Sequence, residues 1–561
     1  MRLEATSDLW WKNAVIYCVD VETFADSNAD GVGDFAGLTG QIDYLSGLGV
    51  TCIWLLPFYP SPRRDDGYDV TDYYGVDPRF GSLGDFVDFV RTAGDRGIRV
   101  IADMVINHTS DQHPWFQAAR SDRNSPYHDY YVWQDAKPAN DKEGIAFPDQ
   151  ESSVWAYDRK IKQWYLHHFY SFQPDLNISN PLVTAELQKI MGFWLQLGLS
   201  GFRLDAVPFF LGTDGVGNVT ENPHEHLRRM RGFVNRRRGD AMLLGEVNEE
   251  ERDLLEYFGG PEGGELQMLF NFTGMESMWL SVVRGDAGPL VHALRRLPTL
   301  DQSNQFAYFV RNHDELTLDK LTVSERAEVM DALAPEQGMR VYGHGIRRRV
   351  PPMLRGDQRR IENLYSLLFS MPGTPVILYG EEIGMGEDLR QPDRMSVRSP
   401  MQWSAESNAG FSTADPRRLV RPVLDEGEFG YRQVNVAEQR HQPTSLLTFF
   451  QRLIRARREA PEFGWGRWSV VDASAAGVLV HRCDWQEYTM LALHNLSGRA
   501  VTCRVELELA SSDGVEDVFG DRRYPPLARE RPSVRLGPYA YRWIRVRHAA
   551  EATNPPPPEL T

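Results

Sequence analysis

Cysteine is scarce: there are four in 561 residues, Cys18, Cys52, Cys483 and Cys503, and no CxxC spacing among them. This excludes a disulfide framework and a thiolate metal site, and such usage fits a reducing compartment, the cytoplasm. Cys18 and Cys52 fall inside apolar runs and read as small core residues. Long apolar runs are missing as well. Nothing approaches the roughly 18 apolar residues of a membrane span, and the opening stretch MRLEATSDLWWK lacks a basic-then-apolar leader pattern. No membrane association is expected. Positive charge is in deficit, with 61 Lys and Arg against 78 Asp and Glu, a net charge of −17. A nucleic-acid partner is therefore not expected, because a phosphate backbone demands the opposite sign. The arginine runs at 236–238 and 347–349 lie in no wider basic patch. No glycine-rich phosphate loop follows a strand.

What is present is apolar and aromatic. The chain is 42% hydrophobic, with 14 Trp, 22 Tyr and 27 Phe, enough for a large core and two or three domains. Short apolar runs at 14–19, 51–56, 99–105, 201–206, 242–246, 266–270, 305–310 and 376–379 read as strands. Amphipathic stretches separate them, among them 38–48, 83–96, 185–197 and 360–370. Alternation of this kind predicts a parallel (β/α)8 barrel over 1–108 and 176–466, with its site at the carboxyl ends of the strands. Residues 109–175 break the rhythm. They are rich in Trp, Tyr, His, Asp and Pro and read as an inserted subdomain overhanging the barrel mouth. Beyond 467 the pattern changes to alternating strands at 478–482, 488–494, 501–507 and 541–546, an antiparallel β-domain reaching 548. The Pro-rich tail, 549–561, is expected to be disordered.

Polar residues gather where the strands end. In GFRLDA, Arg203 and Asp205 are two apart, so on a strand both emerge on one face. An arginine beside a carboxylate lowers its pKa and keeps it ionised, which suits a nucleophile. Glu246 closes the next apolar run, Asn312-His313-Asp314 follows a later one, and Asp103 and Asn107-His108 surround the end of the third. Each acid alone reads equally as a capped loop or a satisfied buried carboxylate. Three from three strands of one barrel would converge over one mouth. A pair of facing carboxyl groups is what glycoside cleavage with retention requires: one attacks the sugar carbon and the other first donates, then accepts, a proton.

These segments, DMVINH, GFRLDA, Glu246 in LLGEVN and NHD, resemble in order and spacing the four motif regions of the α-amylase superfamily, glycoside hydrolase family 13. The likeness is nearest to the trehalose synthases and runs from about Trp10 to Val546, through IWLLPFYPSPRRDDGYDV, PGTPVILYGEEIGMG and RSPMQWS. It implies a glucosyl-transferring isomerase acting on small α-glucosides, maltose and trehalose. Asp205 would be the nucleophile, Glu246 the general acid/base, and Asp314 the acid that holds the sugar hydroxyls. His108, Arg203 and His313 would line the subsite of the attacked glucose, Asp65 and Tyr68 would form its floor, and Arg398 would close it. Two loops depart from the pattern. EANQWP after the acid/base becomes Glu246-Val247-Asn248-Glu249-Glu250, and VPYLYE after the nucleophile becomes VPFFLG. If they leave the pocket open, water intercepts the intermediate and the same residues make an α-glucosidase or transglycosylase. A catalytically inactive scaffold would have lost carboxylates that are all present here.

Residues 26–34, DSNADGVGD, offer oxygens at alternate positions around a glycine turn, a pattern that suits Ca2+. An acid at the twelfth position of an EF-hand is missing, since Gly37 stands there. The resemblance implies a structural calcium site on Asp26, Asn28, Asp30, Asp34 and the carbonyl of Val32.

Overall fold

A computed structural model describes residues 7–147, 149–212, 222–507 and 509–548. The tail expected to be disordered and residues 213–221, within the loop after Asp205, lie outside the described residues.

Eight short strands close into a parallel barrel: β1 Ile16–Val19, β2 Cys52–Leu55, β3 Arg99–Met104, β4 Gly201–Leu204, β5 Met242–Gly245, β6 Met268–Phe270, β7 Gln305–Tyr308 and β8 Thr374–Leu378. Neighbours in the ring follow the chain, and β8 pairs with β1. All eight overlap the apolar runs; most are trimmed at their ends, and β8 begins two residues before the run expected at 376–379. Helices and loops outside, and side chains inside, bury both faces, so the strands read as continuous apolar runs. β4 starts on Gly201 because nothing larger fits. Its φ is +151°, and a Cβ there would lie 2.1 Å from the carbonyl oxygen of Met242 on β5. The helix expected over 38–48 is two pieces, Phe35–Gly40 and Ile42–Leu48. Asp34 caps the first through the Gly37 amide, and Gln41 leaves helical geometry at φ −102°, ψ 4°. The helix Leu83–Asp95 carries a Ser82/Asp85 capping box, a strong start signal.

The interval between β3 and β4 folds over the mouth. Strands Trp133–Gln134, Trp155–Asp158 and Gln163–Leu166 make a small antiparallel sheet with its own core of Val132, Val154, Trp155 and Leu166. Backbone bridges His108–Asp175 and Tyr131–Leu176 pin it to the end of β3.

The C-terminal part holds a five-stranded antiparallel sheet in the spatial order Arg467–Val471, Val478–Trp485, Tyr488–Asn495, Tyr541–Arg547, Gly514–Gly520, and a two-stranded ribbon, Val501–Arg504 with Ser533–Leu536. Residues Arg467–Val471, Gly514–Gly520 and Ser533–Leu536 are strands that apolar alternation did not mark. The first two are edge strands and all three face solvent on one side, so charged and polar residues replace the apolar pattern. The large sheet is apolar on both faces. Leu479, Met490, Ala492 and Trp543 join the core of the barrel, while Val480, Leu491, Leu493 and Ile544 face the ribbon. All four cysteines are buried and free. Among the described residues no helix is long and apolar enough to cross a membrane.

Candidate active site

The ends of β3, β4 and β5 bring Asp103, Asp205 and Glu246 around one guanidinium. Register places Asp103 beside Arg203 on adjacent strands. Arg203 Nη1 donates to Asp103 Oδ1 (2.5 Å) and to Asp205, and Nη2 lies 2.9 Å from Glu246 Oε2. Trp54 Nε1 donates to Asp103 Oδ2 at 2.9 Å. Immediately after Asp205 the backbone turns left-handed at Ala206 (φ +48°), which aims the Ala206 amide at Glu246 Oε2, 3.0 Å away. A non-glycine residue in that conformation is strained, and its N–H makes a hydrogen bond to the Glu246 carboxyl.

One cation does not satisfy three buried acids. Burial raises the Asp205 carboxyl to about 6, with Arg203 pulling it down and Asp103 and Asp314 pushing it up. Burial raises Glu246 to about 7, again against Arg203 and with Asp205 adding to the rise. Asp103 is lifted to about 6 by burial, opposed by Arg203 and the Trp54 hydrogen bond. The expectation that Arg203 keeps Asp205 ionised on its own is thus corrected: desolvation outweighs it. The order still separates two roles, since the group that loses its proton first is the candidate nucleophile and the one that keeps it longer is the candidate acid. Glu246 is also the more open of the two, with 23% of its side chain exposed against 9% for Asp205.

Asp314, after β7, stands in the opposite electrostatic setting. Its Oδ1 accepts from Arg394 Nη1 at 2.6 Å and from Arg398 Nη2 at 3.0 Å, and His313 Nε2 lies 3.1 Å from Oδ2. Burial alone would raise its pKa, but His313, Arg394 and Arg398 drive it below the ordinary carboxylate range. Burial also pushes His313 well toward its neutral form, so the two arginines supply the charge that decides the matter. Arg394 reaches on to Asp65 Oδ1 (2.7 Å), whose other oxygen accepts from Gln173 Nε2 at 2.9 Å. Tyr68 OH sits 2.6 Å from His313 Nε2, the two rings stacked at 7°. His108 Nε2 lies 3.2 Å from the Tyr68 carbonyl oxygen.

Together Asp65, Tyr68, His108, Phe169, Asp205, Glu246, Asp314 and Arg394 enclose a cavity of about 50 Å3. Larger clefts exist, one of about 430 Å3 between the helix Leu446–Arg458 and the C-terminal sheet, but none of Asp205, Glu246 and Asp314 faces it. Three expected lining residues stand one layer back. Arg203 is 1% exposed and His313 and Arg398 are 0% exposed. Arg398 stands behind the cavity, where it donates to Asp314, Asp66 and the His313 carbonyl, and Arg394 lines the pocket instead. The roof is aromatic. Phe169 of the inserted subdomain packs on His108 and on Phe209, and Phe147 stacks against Tyr170, Tyr342 and the guanidinium of Arg394. Phe209, in the altered loop after Asp205, keeps an aromatic ring over the site.

The model for the alpha-amylase catalytic domain matches residues 18–466. The chain belongs to the α-amylase family. Within that family it is 41% identical over 544 residues to the trehalose synthase/amylase TreS of Mycobacterium tuberculosis, covering 96% of this chain and 90% of the relative. It is 40% identical over 551 residues to the trehalose synthase of a Pimelobacter species, covering 96% of each. The solved structure of the trehalulose synthase MutB of Pseudomonas mesoacidophila superposes with a TM-score of 0.75 at 26% identity, covering 96% of this chain and 99% of the other.

Against this α-amylase-family frame, sequence reasoning missed Arg394, Phe169, Phe147 and Gln173. Arg394 lies four residues before Arg398 in QPDRMSVRSPMQW, and nothing local distinguishes the two arginines. The loop at 26–34 folds as a run of side-chain turns. Asp26 Oδ1 accepts the amides of Asn28 (3.0 Å) and Ala29 (2.8 Å), and Asn28 Oδ1 and Asp30 Oδ1 each accept the amide two residues on, at 2.9 Å. Three carboxylates and an amide oxygen suit a hard cation in kind. Among the described residues, however, the acidic trio whose ligand atoms gather within 4.8 Å lies elsewhere, at Asp20, Glu22 and Asp66. Arg63 and Arg421 occupy that trio as ion-pair partners.

Proposed function

We propose that this α-amylase-family protein interconverts maltose and trehalose through a glucosyl ester on Asp205. The observation that carries the reading is the pair Asp205 and Glu246, both lining one cavity and bridged from behind by the guanidinium of Arg203, with both carboxyls raised by burial. A guanidinium spanning both groups keeps them close, in keeping with the roughly 5 Å of retaining enzymes rather than a gap that admits water between them.

In the first step a carboxylate oxygen of Asp205 attacks the anomeric carbon of the glucosyl unit. The glycosidic C–O bond breaks, and its electron pair goes to the departing oxygen, which takes the proton of Glu246. Asp314, kept ionised by Arg394 and Arg398, holds ring hydroxyls and faces the positive charge that develops at the ring. The freed glucose stays under the aromatic roof and turns. When its anomeric hydroxyl attacks the same carbon, giving its proton to Glu246, the ester breaks and trehalose forms; attack by its 4-hydroxyl returns maltose. Asp65, Tyr68, Asp314 and Arg394 line the cavity that takes the glucosyl unit, and Phe169 limits the access of water from the side of the inserted subdomain.

The test is to incubate the protein with maltose and, separately, with trehalose, and to resolve the products. Each disaccharide arising from the other with little free glucose is the expected result. Glucose alone would replace this reading with an α-glucosidase. The proposal includes a calcium ion on Asp26, Asn28, Asp30, Asp34 and the Val32 carbonyl, outside the reaction steps. A chelator should lower Tm and added Ca2+ restore it. A cytoplasmic setting is supported by the four buried, unbridged thiols.

A further inference from the structure

Behind the pocket, on the side away from substrate, acids and arginines alternate. Arg398 is shared: Nη2 donates to Asp314 at 3.0 Å and Nη1 to Asp66. Asp66 is met from its far side by Arg421 and, at 3.0 Å, by Arg63. Arg421 also reaches Glu22 Oε2 (2.8 Å) and lies 3.6 Å from Asp20 Oδ2, while its Nη1 donates to the backbone oxygen of Arg398 at 3.0 Å. Arg421 is 8% exposed, Asp66 9%, Asp20 4% and Glu22 2%, so solvent does little to screen these charges.

The backbone at both ends of the Arg421–Glu22 pair hangs from the loop at 26–34. Val420 N donates to the Gly31 oxygen at 2.9 Å, and Gly33 N donates to the Glu22 oxygen at 2.7 Å. Gly31 has φ +96°, and a Cβ there would lie 2.1 Å from the Arg418 carbonyl oxygen. The contact is therefore backbone on backbone, with no side chain to give way.

We propose that Arg421 is a positioning residue for Asp314, held in register by the loop at 26–34. Together with Arg63 it neutralises the far side of Asp66, and this leaves Arg398 free to hold Asp314. Without it, Asp66 draws Arg398 away from the pocket, and Asp314 loses one of its two fixed cations. Arg421 touches no substrate; it acts two residues removed. The inference rests on the reading of Asp314 given above.

Arg421→Met, Arg421→Lys and Gly31→Ala test it. In Arg421→Met, kcat should fall about 10- to 100-fold, the scale of a sub-ångström to ångström misplacement, with KM nearly unchanged. Arg421→Lys keeps the charge and should recover part of the loss. Gly31→Ala alters no charge, yet should lower kcat in the same direction by shifting the segment that carries Arg421. Should the methionine variant fail to fold, the other two carry the test. A crystal structure of Arg421→Lys should show Arg398 or Asp314 displaced. Wild-type kcat in folded variants, or Arg398 and Asp314 unmoved in that crystal structure, overturns the proposal. Wild-type protein that turns over no α-glucoside overturns the reading of Asp314 instead, and the crystal structure still decides whether Arg421 holds it.

Discussion

Two groups of buried acids flank the cavity, and they differ in how many cations meet them. In one, Asp103, Asp205 and Glu246 share the single guanidinium of Arg203. In the other, Asp314, Asp65 and Asp66 are met by Arg394, Arg398 and Arg421. The acids of the first group are pushed up to between about 6 and about 7, and Asp314 is pushed down. Both groups are buried, so the supply of cations decides the outcome. The starved side exchanges protons near neutral pH. On the supplied side Asp314 stays ionised.

The comparison breaks most sharply at Asp205, the proposed nucleophile. Asp205→Asn should lower kcat by about 10⁴-fold or more, measured with maltose, while the protein stays folded, because the substitution relieves a crowded carboxylate. Arg394→Met removes a cation from the supplied side and unlatches Asp65. It should lower kcat/KM by about 100-fold and raise the share of free glucose among the products. The pH profile should be a bell with apparent pKa values of about 6 and about 7, belonging to the Asp205–Glu246 pair. Protonation of the nucleophile lowers the acid limb, and loss of the Glu246 proton lowers the alkaline one. A flat profile from pH 5 to 8 would remove the pair from the mechanism.

Stability gives the smallest effect and the cleanest sign. Asp205 has a raised pKa in the fold, so its contribution is favourable below the unfolded value of about 4 and is lost as pH rises through about 6. Asp205→Asn should therefore raise Tm more at pH 8 than at pH 4. Asp314 has a lowered pKa, so its contribution is present above the unfolded value and lost as pH falls. Asp314→Asn should lower Tm more at pH 7 than at pH 3. Melting curves of each variant at its two pH values suffice.

The barrel was legible because its signal is local: apolar runs at strand length, several of them closed or followed by a charged residue. Asp205, Glu246 and Asp314 were legible for the same reason. Asp65, Tyr68 and His108 came from resemblance and do line the cavity. The exchange of Arg398 for Arg394 was not legible, because the short 3-10 turn Asp393–Val397 sets which arginine points inward, and that turn has no periodic pattern. The raised pKa of Asp205 was hidden too. Sequence shows the arginine two residues away but not Asp103 and Glu246 drawing on it from neighbouring strands. Phe147 and Phe169 belong to irregular stretches of the inserted subdomain, where an aromatic residue reads as core until the neighbouring loop is in place.

The C-terminal sheet lends Leu479, Met490, Ala492 and Trp543 to the barrel's own core. It supplies no cavity-lining residue, yet it is not a detachable module. A chimera that swaps this sheet between relatives must exchange the matching faces of the helices Gln358–Ser370 and Leu446–Arg458 with it. Divergence in this family can therefore proceed freely in the loops over the mouth, while the junction with the sheet changes only in concert.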